Sequence, residues 1–376
     1  MLKNKLKVDD RFLFNPVFIV LAGHLIIFLL AVPYFNKFNP VLILKMFFIV
    51  LTYIASFSIP FFTNIGTNIK REFIIYLSGS LIFFLIFYGV MAVSDSLILA
   101  IIYPLAVLGI IHLFVATYPS KKMDNVIFFV GIFSFILIVV QNGAIPILDY
   151  TTRMDIAADP LRLISSGALT YGGLSGVPYF LVAFVLLILL GYKANVLILL
   201  AAFLIYQYGK GRISPKHIIL YGFASVLLLG IMAKLILLSS GQSWKLNFIE
   251  ILSYRAYFDL MTLDRIINYP ELLLGKVSFN PNGESLIGNI IFNYSHNITS
   301  TMFGPIYLDF GIFGVIFAFL LGLISKLIYT KGDIRIYSIY GATLLSMCEI
   351  GINYGFLITL FVILYVVILQ LCDTHT

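Results

Sequence analysis

Apolar stretches recur along nearly the whole of this 376-residue chain, and only two long polar intervals, 142–175 and 239–299, interrupt them. Hydrophobic residues make up 61% of the sequence and charged ones 11%, with a mean hydropathy of +1.04. A water-soluble fold of this length cannot bury so much apolar surface, so most of it must face lipid. A bilayer core of about 30 Å takes about 20 apolar residues per helix. Helices are required because open strands would leave peptide groups unpaired in hydrocarbon.

Apolar runs fall at 16–34, 41–62, 73–93, 97–117 and 125–141. After the first interval come 177–190, 194–208 and 218–238, and after the second 300–324 and 336–371. The last run is too long for one crossing, and Gly351, Asn353 and Gly355 mark a turn within it. The expectation is an all-α, polytopic transmembrane helical bundle forming one membrane domain over 1–376. The basic start before the first run, with no small-residue cleavage site after it, reads as a retained first transmembrane helix rather than a signal peptide.

The charge is +7, and its placement carries more information than its size. Basic residues cluster at 3–11, 70–71, 121–122, 210–216 and 326–335. The positive-inside rule assigns all five clusters and both termini to the cytoplasm of a multi-pass plasma (inner) membrane protein. Both polar intervals are then extended extracytoplasmic loops. Each holds one more acidic than basic residue, so no nucleic-acid partner is read from the charge. An odd number of crossings must separate the first interval from Lys210. The total is 10 spans if one short apolar piece is re-entrant, or 12 if 161–174 is a third crossing.

Several classes lack their signatures. There is no GxxxxGK[ST], HExxH or GxSxG, and no CxxC among the two cysteines. The five histidines show no metal-ligand spacing, so no metal and no cofactor are expected. Carboxylates are nearly absent from the apolar runs, with Glu349 the main exception, which counts against an ion-coupled transporter. Asn297-Ile298-Thr299 matches a glycosylation acceptor pattern and is read as chance.

Three segments carry a resemblance. YLDFGIFGVIFAFLLGLISK (307–326) enters an apolar run through Asp-Phe-Gly-x-x-Gly. GAIPILDYTTRMD (143–155) has an Ile-Pro entry followed by Arg153. GYKANVLILLAAFLIYQYGKGRISPKHIIL (191–220) joins a Gly-Tyr-Lys piece to a basic loop. Together, and in their order along the chain, they resemble the O-antigen polymerases, or oligosaccharide repeat-unit polymerases. The chain departs from that pattern at Lys193, where the family has Arg; Lys keeps the charge and loses the planar fork.

The resemblance implies a metal-independent glycosyltransferase of surface polysaccharide biosynthesis (exopolysaccharide or capsule). Its donor would be an oligosaccharide on undecaprenyl pyrophosphate, with membrane lipid, a flippase and a chain-length regulator as further partners. Glycan ligation, or transport of lipid-linked sugars, are the competing readings. The chemistry needs cations on a leaving pyrophosphate and a base for the acceptor hydroxyl. Arg153, Arg162, Lys193, Arg255 and Arg265 are the substrate-binding candidates, and His296 or Asp309 the catalytic base. Each has a structural alternative. Arg255 and Asp259 stand i, i+4 and could simply pair, Arg162 could anchor an interface, and Asp309 could cap a turn beside Gly311. Tyr254, Tyr257, Tyr269, Tyr294 and Trp244 could stack on sugar rings or form an interfacial belt.

Cysteines introduced in either polar interval should react with an impermeant thiol reagent from outside the cell, and cysteines at 122 and 216 only after permeabilisation. The opposite pattern for either interval overturns the assigned sidedness.

Overall fold

The computed structural model describes residues 14–63, 70–239, 246–294 and 296–373. The basic cluster at 3–11, Trp244, Lys245 and His375 lie outside them. Among the described residues all regular structure is helical. In chain order the helices are α1 (Pro16–Ala31), α2 (Pro40–Phe62), α3 (Arg71–Val93), α4 (Leu97–Thr117), α5 (Lys121–Asn142), α6 (Tyr150–Asp155), α7 (Pro160–Gly173) and α8 (Val177–Leu190). They continue with α9 (Lys193–Gly209), α10 (Pro215–Ser239), α11 (Phe248–Ile267), α12 (Gly283–Phe292), α13 (Gly304–Phe310), α14 (Val315–Lys331), α15 (Ile334–Ile350) and α16 (Tyr354–Asp373).

Among the described residues eight segments are long and apolar enough to cross a membrane: α1 with its 3-10 extension, α2 to α5, α10, α13 with α14, and α16. α8 and α9 are apolar but shorter. The chain is thus a polytopic helical membrane protein. The first polar interval contains α6 and α7, and the second contains α11 and α12. The long last run breaks at Gly351, between α15 and α16. Where a single run from Ser300 was expected, helix starts only at Gly304 and breaks again at Gly311. The physical reason is local: Gly311 sits at φ +54°, which a side chain would strain, and its freed carbonyl accepts the Tyr53 hydroxyl.

The chain divides into two compact units. One comprises Met1–Phe14, Thr117–Ser253 and Tyr337–Ser346. Its centre is α5 against α7, with Phe128, Ile138, Leu169, Leu187 and Leu199 buried together. α7 begins where Asp159 accepts from Leu161 N (2.7 Å) with Pro160 in the first turn. Ser165 Oγ donates to Gly131 O (2.9 Å), a polar tie between two apolar helices.

The other unit comprises Asn15–Ala116, Tyr254–Ile336 and Met347–Thr376. Here α2 and α14 are joined along their length. Ser56 Oγ donates to Val315 O (2.6 Å), and Lys326 Nζ donates to Pro60 O (2.8 Å) and Thr63 O (2.6 Å). Lys326 thereby takes up carbonyls that the end of α2 leaves open. Between these ties Gly322 lies against Phe57; a Cβ there would stand 2.0 Å from Phe57 O. α3 and α16 run antiparallel, since Tyr354 donates to Leu85 O at one end and Arg71 Nη1 to Leu371 O (3.3 Å) at the other.

Gly322→Ala should push α2 from α14 and cost about 1–3 kcal/mol. Gly109→Ala, where nothing lies within 4 Å, should be neutral or stabilise by up to about 1 kcal/mol through helix propensity. Thermal unfolding in detergent checks both; equal melting temperatures would mean the α2–α14 contact is loose.

Candidate functional site

In the first unit α6 is a single turn and a half, set up by one carboxylate. Asp149 accepts from Thr152 N (2.8 Å) and from Thr151 Oγ1 (2.7 Å). Hydrogen bonds from Thr152 and then Thr151 hold the Asp149 carboxyl down from its ordinary 3.8 to about 2. The turn delivers Arg153 inward, with 7% of its surface exposed. Its Nη1 donates to Ser239 Oγ (3.0 Å), and its guanidinium lies 5.4 Å from the Tyr150 ring centre. Among the described residues Arg153 forms no ion pair with a carboxylate. Burial lowers its pKa from the ordinary value, and Tyr192, Tyr150 and Asp149 oppose that shift.

The Gly-Tyr-Lys piece at 191–193 packs against this turn. Gly191, at φ +80°, lets the backbone pass Ile147; a Cβ would stand 3.2 Å from Arg153 Cδ. Tyr192 donates its hydroxyl to Arg153 O, and the Arg162 guanidinium lies over the Tyr192 ring at 4.3 Å. Burial raises the Tyr192 phenol, while Arg162 and then Arg153 pull it down. Lys193 is the first residue of α9, where Tyr192 supplies no side-chain cap. The first turn of α9 carries the positive end of the helix dipole. Of the sequence candidates, Arg153 and Arg162 both act on Tyr192, and Lys193 follows it in the chain.

The second unit holds the other candidates. Arg255 on α11 pairs with Asp259 (3.4 Å) and with Glu349 (3.2 Å), and donates to Thr299. Thr299 Oγ1 in turn donates to Asp259 Oδ1 (3.2 Å), and Asn353 Nδ2 donates to Glu284 Oε1 (2.7 Å) beside them. Burial alone would lower the Arg255 pKa, but Asp259 and Glu349 outweigh it and raise the value. This cation is neutralised within the protein. The i, i+4 alternative to a ligand role is present, extended by Glu349.

Arg265 is exposed and lies 4.4 Å from the Phe292 ring centre. His296 is exposed beside Tyr294, with ring centres 4.1 Å apart. Asp309 is fully buried, and its two oxygens accept from Val277 N (3.1 Å) and Ser278 N (2.7 Å). Through these two backbone donors Asp309 clamps the 273–278 loop, the structural role the sequence offered beside that of a base. Tyr254 and Tyr257 pack with Tyr34 and Phe38 from the α1–α2 connection, and Lys37 Nζ lies 4.9 Å from the Tyr34 ring centre. Tyr269 packs against the cluster around Ile266 and Leu273. Among the described residues no group of three or more His, Cys, Asp or Glu side chains is arranged to hold a metal ion.

Sequence reasoning passed over Tyr192, which links Arg153 to Arg162, although it stands inside the quoted Gly-Tyr-Lys piece. It also passed over Glu349 as the partner of Arg255, for which a 94-residue separation leaves no local signal.

Fold and site together define a polytopic helical membrane enzyme with a clustered set of cations. A family model described as "Putative O-antigen polymerase" matches residues 12–365, nearly the whole chain. The chain belongs to the O-antigen polymerase family, which makes it an enzyme of glycosyltransferase type. It is also 49% identical over 360 residues to "Uncharacterized protein MJ0420" of Methanocaldococcus jannaschii, covering 96% of this chain and 94% of that one. No solved structure matches the chain.

The sign of the Asp149 shift fixes a pH window. A carboxyl held below its ordinary value supports α6 fully above about pH 4 and loses that support as pH falls toward 2. Hydrogen exchange at the Thr152 amide, corrected for intrinsic rate, should therefore show protection at pH 5 that fades on acidification. In Asp149→Ala it should be low throughout; flat protection in the parent protein would contradict the cap.

Proposed function

We propose that the protein polymerises lipid-linked oligosaccharide repeat units. The glycan on polyprenyl pyrophosphate, undecaprenyl in the form the resemblance implies, is the donor, and a second carrier-linked unit is the acceptor. The acceptor hydroxyl oxygen bonds to the donor's anomeric carbon as the bond from that carbon to the phosphate oxygen breaks. The hydroxyl proton passes to a base, and the carrier pyrophosphate leaves. The reading places the reaction at the extracytoplasmic face and both termini in the cytoplasm, in line with the distribution of basic residues.

One observation supports this reading above the rest. Arg153 is buried and makes no ion pair with a carboxylate among the described residues, while Arg162 lies over Tyr192, the tyrosine that donates to Arg153 O, and Lys193 follows it in the chain. A buried cation without a counter-ion is costly, and a pyrophosphate would offset that cost. Arg162 adds charge beside the same tyrosine, and stabilising the leaving group is where such charge lowers the barrier. In this reading Arg255 positions α11 against the Glu349 segment instead of touching the pyrophosphate, and Arg265 has no assigned contact. The flippase and the chain-length regulator remain partners proposed from the family alone.

The test is turnover of a purified lipid-linked repeat unit by the purified protein. Arg153→Ala should lower polymer formation by roughly two orders of magnitude, the scale of one lost electrostatic donor, with protein level and melting temperature kept. Arg153→Lys should recover part of it. Arg255→Ala should instead destabilise the fold by about 3 kcal/mol, because it leaves the buried Asp259 without its counter-ion. Normal chain length from Arg153→Ala would remove the pyrophosphate assignment.

A further inference from the structure

Within the second unit an apolar groove of about 640 Å³ runs between α3, α14 and α16. Its α3 wall extends from Phe73 to Tyr88, which at a rise of ~1.5 Å per residue is about 22 Å, most of a hydrocarbon core of about 30 Å. The floor is buried (Ile74, Leu321, Leu360), and side chains such as Phe84 and Leu320 stand exposed along its edges. No charged side chain lines it, and Tyr88 supplies its only polar side-chain atom among the described residues. A single long hydrocarbon chain fits such a shape and chemistry; a sugar or an ion does not.

The Tyr88 end is distinctive. Gly275 and Phe279 close it, on the loop that the Asp309 carboxylate clamps through Val277 N and Ser278 N. Phe279 packs against Phe310 and Phe317, which holds that loop at the start of α14. Between the two lining residues Lys276 is exposed, and its ammonium has no partner among the described residues. The mouth thus offers a cation on a rigid loop, and the trough beneath it offers only hydrocarbon. That pairing suits an amphiphile with one long tail and an anionic head.

The geometry points to the α3–α14–α16 groove as the binding site for the isoprenoid tail of the acceptor's carrier diphosphate, with Lys276 on its phosphates, a different carrier from the donor whose pyrophosphate leaves. The identity of the occupant rests on the polymerase reading. An isoprenoid is preferred over a bilayer phospholipid because the groove is one trough and a phospholipid brings two chains.

The test uses the full-length protein in nanodiscs and a long polyprenyl diphosphate carrying a diazirine far along its tail. After irradiation, adducts should map to α3 and α14 between Phe73 and Tyr88 and between Phe317 and Leu327. Unlabelled polyprenyl diphosphate should compete them away, and excess phosphatidylglycerol should not. Leu77→Trp and Leu320→Trp, which enlarge edge residues without touching the floor, should cut labelling by about tenfold, as expected when several buried methylenes are displaced. Lys276→Ala should weaken labelling and remove its salt dependence. The same tryptophan variants should slow a repeat unit on the long carrier while leaving one on a geranyl-length anchor unchanged.

Adducts elsewhere, equal competition by phosphatidylglycerol, or equal effects of the tryptophans on both anchors would overturn the assignment. Labelling in the groove with no polymer from any repeat unit would retire the polymerase reading and leave the isoprenoid site standing. Polymer formation with labelling elsewhere would do the reverse.

Discussion

Hydrocarbon offers no hydrogen bonds, and that single constraint organises this chain. Every peptide group in the apolar runs must be satisfied from within, so the runs are helices and each interruption needs a donor or acceptor supplied by a neighbour. At Gly311 the donor is the Tyr53 hydroxyl. At the end of α2 it is Lys326, which takes two carbonyls at once. Within the unbroken α3, the Leu85 carbonyl also accepts from the Tyr354 hydroxyl. The same bonds join helices whose apolar surfaces have no hydrophobic reason to prefer each other over lipid. Close approach at Gly322 adds van der Waals contact to those ties.

Two arginines, one in each compact unit, show how much burial differs from pairing. Arg153 and Arg255 were equal as residue types, and each stands in a polar interval. Arg255 meets two carboxylates and a threonine, and its charge is spent on holding α11 to the Glu349 segment. Arg153 meets a serine, a tyrosine face and no carboxylate among the described residues. A buried guanidinium with no carboxylate in contact is retained at a cost that the nearby Asp149 charge offsets in part. Asp309 illustrates the complementary case. Its carboxylate is the most deeply placed of the candidates, yet it is occupied with two backbone donors, and its work is to set the loop that carries Lys276.

Several features could be read from residue order because their causes are local. Apolar runs of membrane length appear as helices with nearly the expected limits, and the break at Gly351 falls where glycine and asparagine cluster. Other features had no local signal. The interruption at Gly311 depends on a hydroxyl that lies 258 residues earlier, and the Arg255–Glu349 pair spans 94. The cation cluster was half legible: Arg153, Arg162 and Lys193 could each be named, but not the meeting of the first two on Tyr192.

By itself, then, the sequence determined the solvent, the helical class, the family and the residue types available for phosphate chemistry. Hydropathy and short motifs are properties of neighbouring residues, and neighbours suffice for those. Tertiary structure alone decided which cations meet carboxylates, which carboxylates accept from backbone donors, and where an apolar trough opens. Those outcomes depend on contacts between residues far apart in the chain, and the energy of a charge depends on what surrounds it in space.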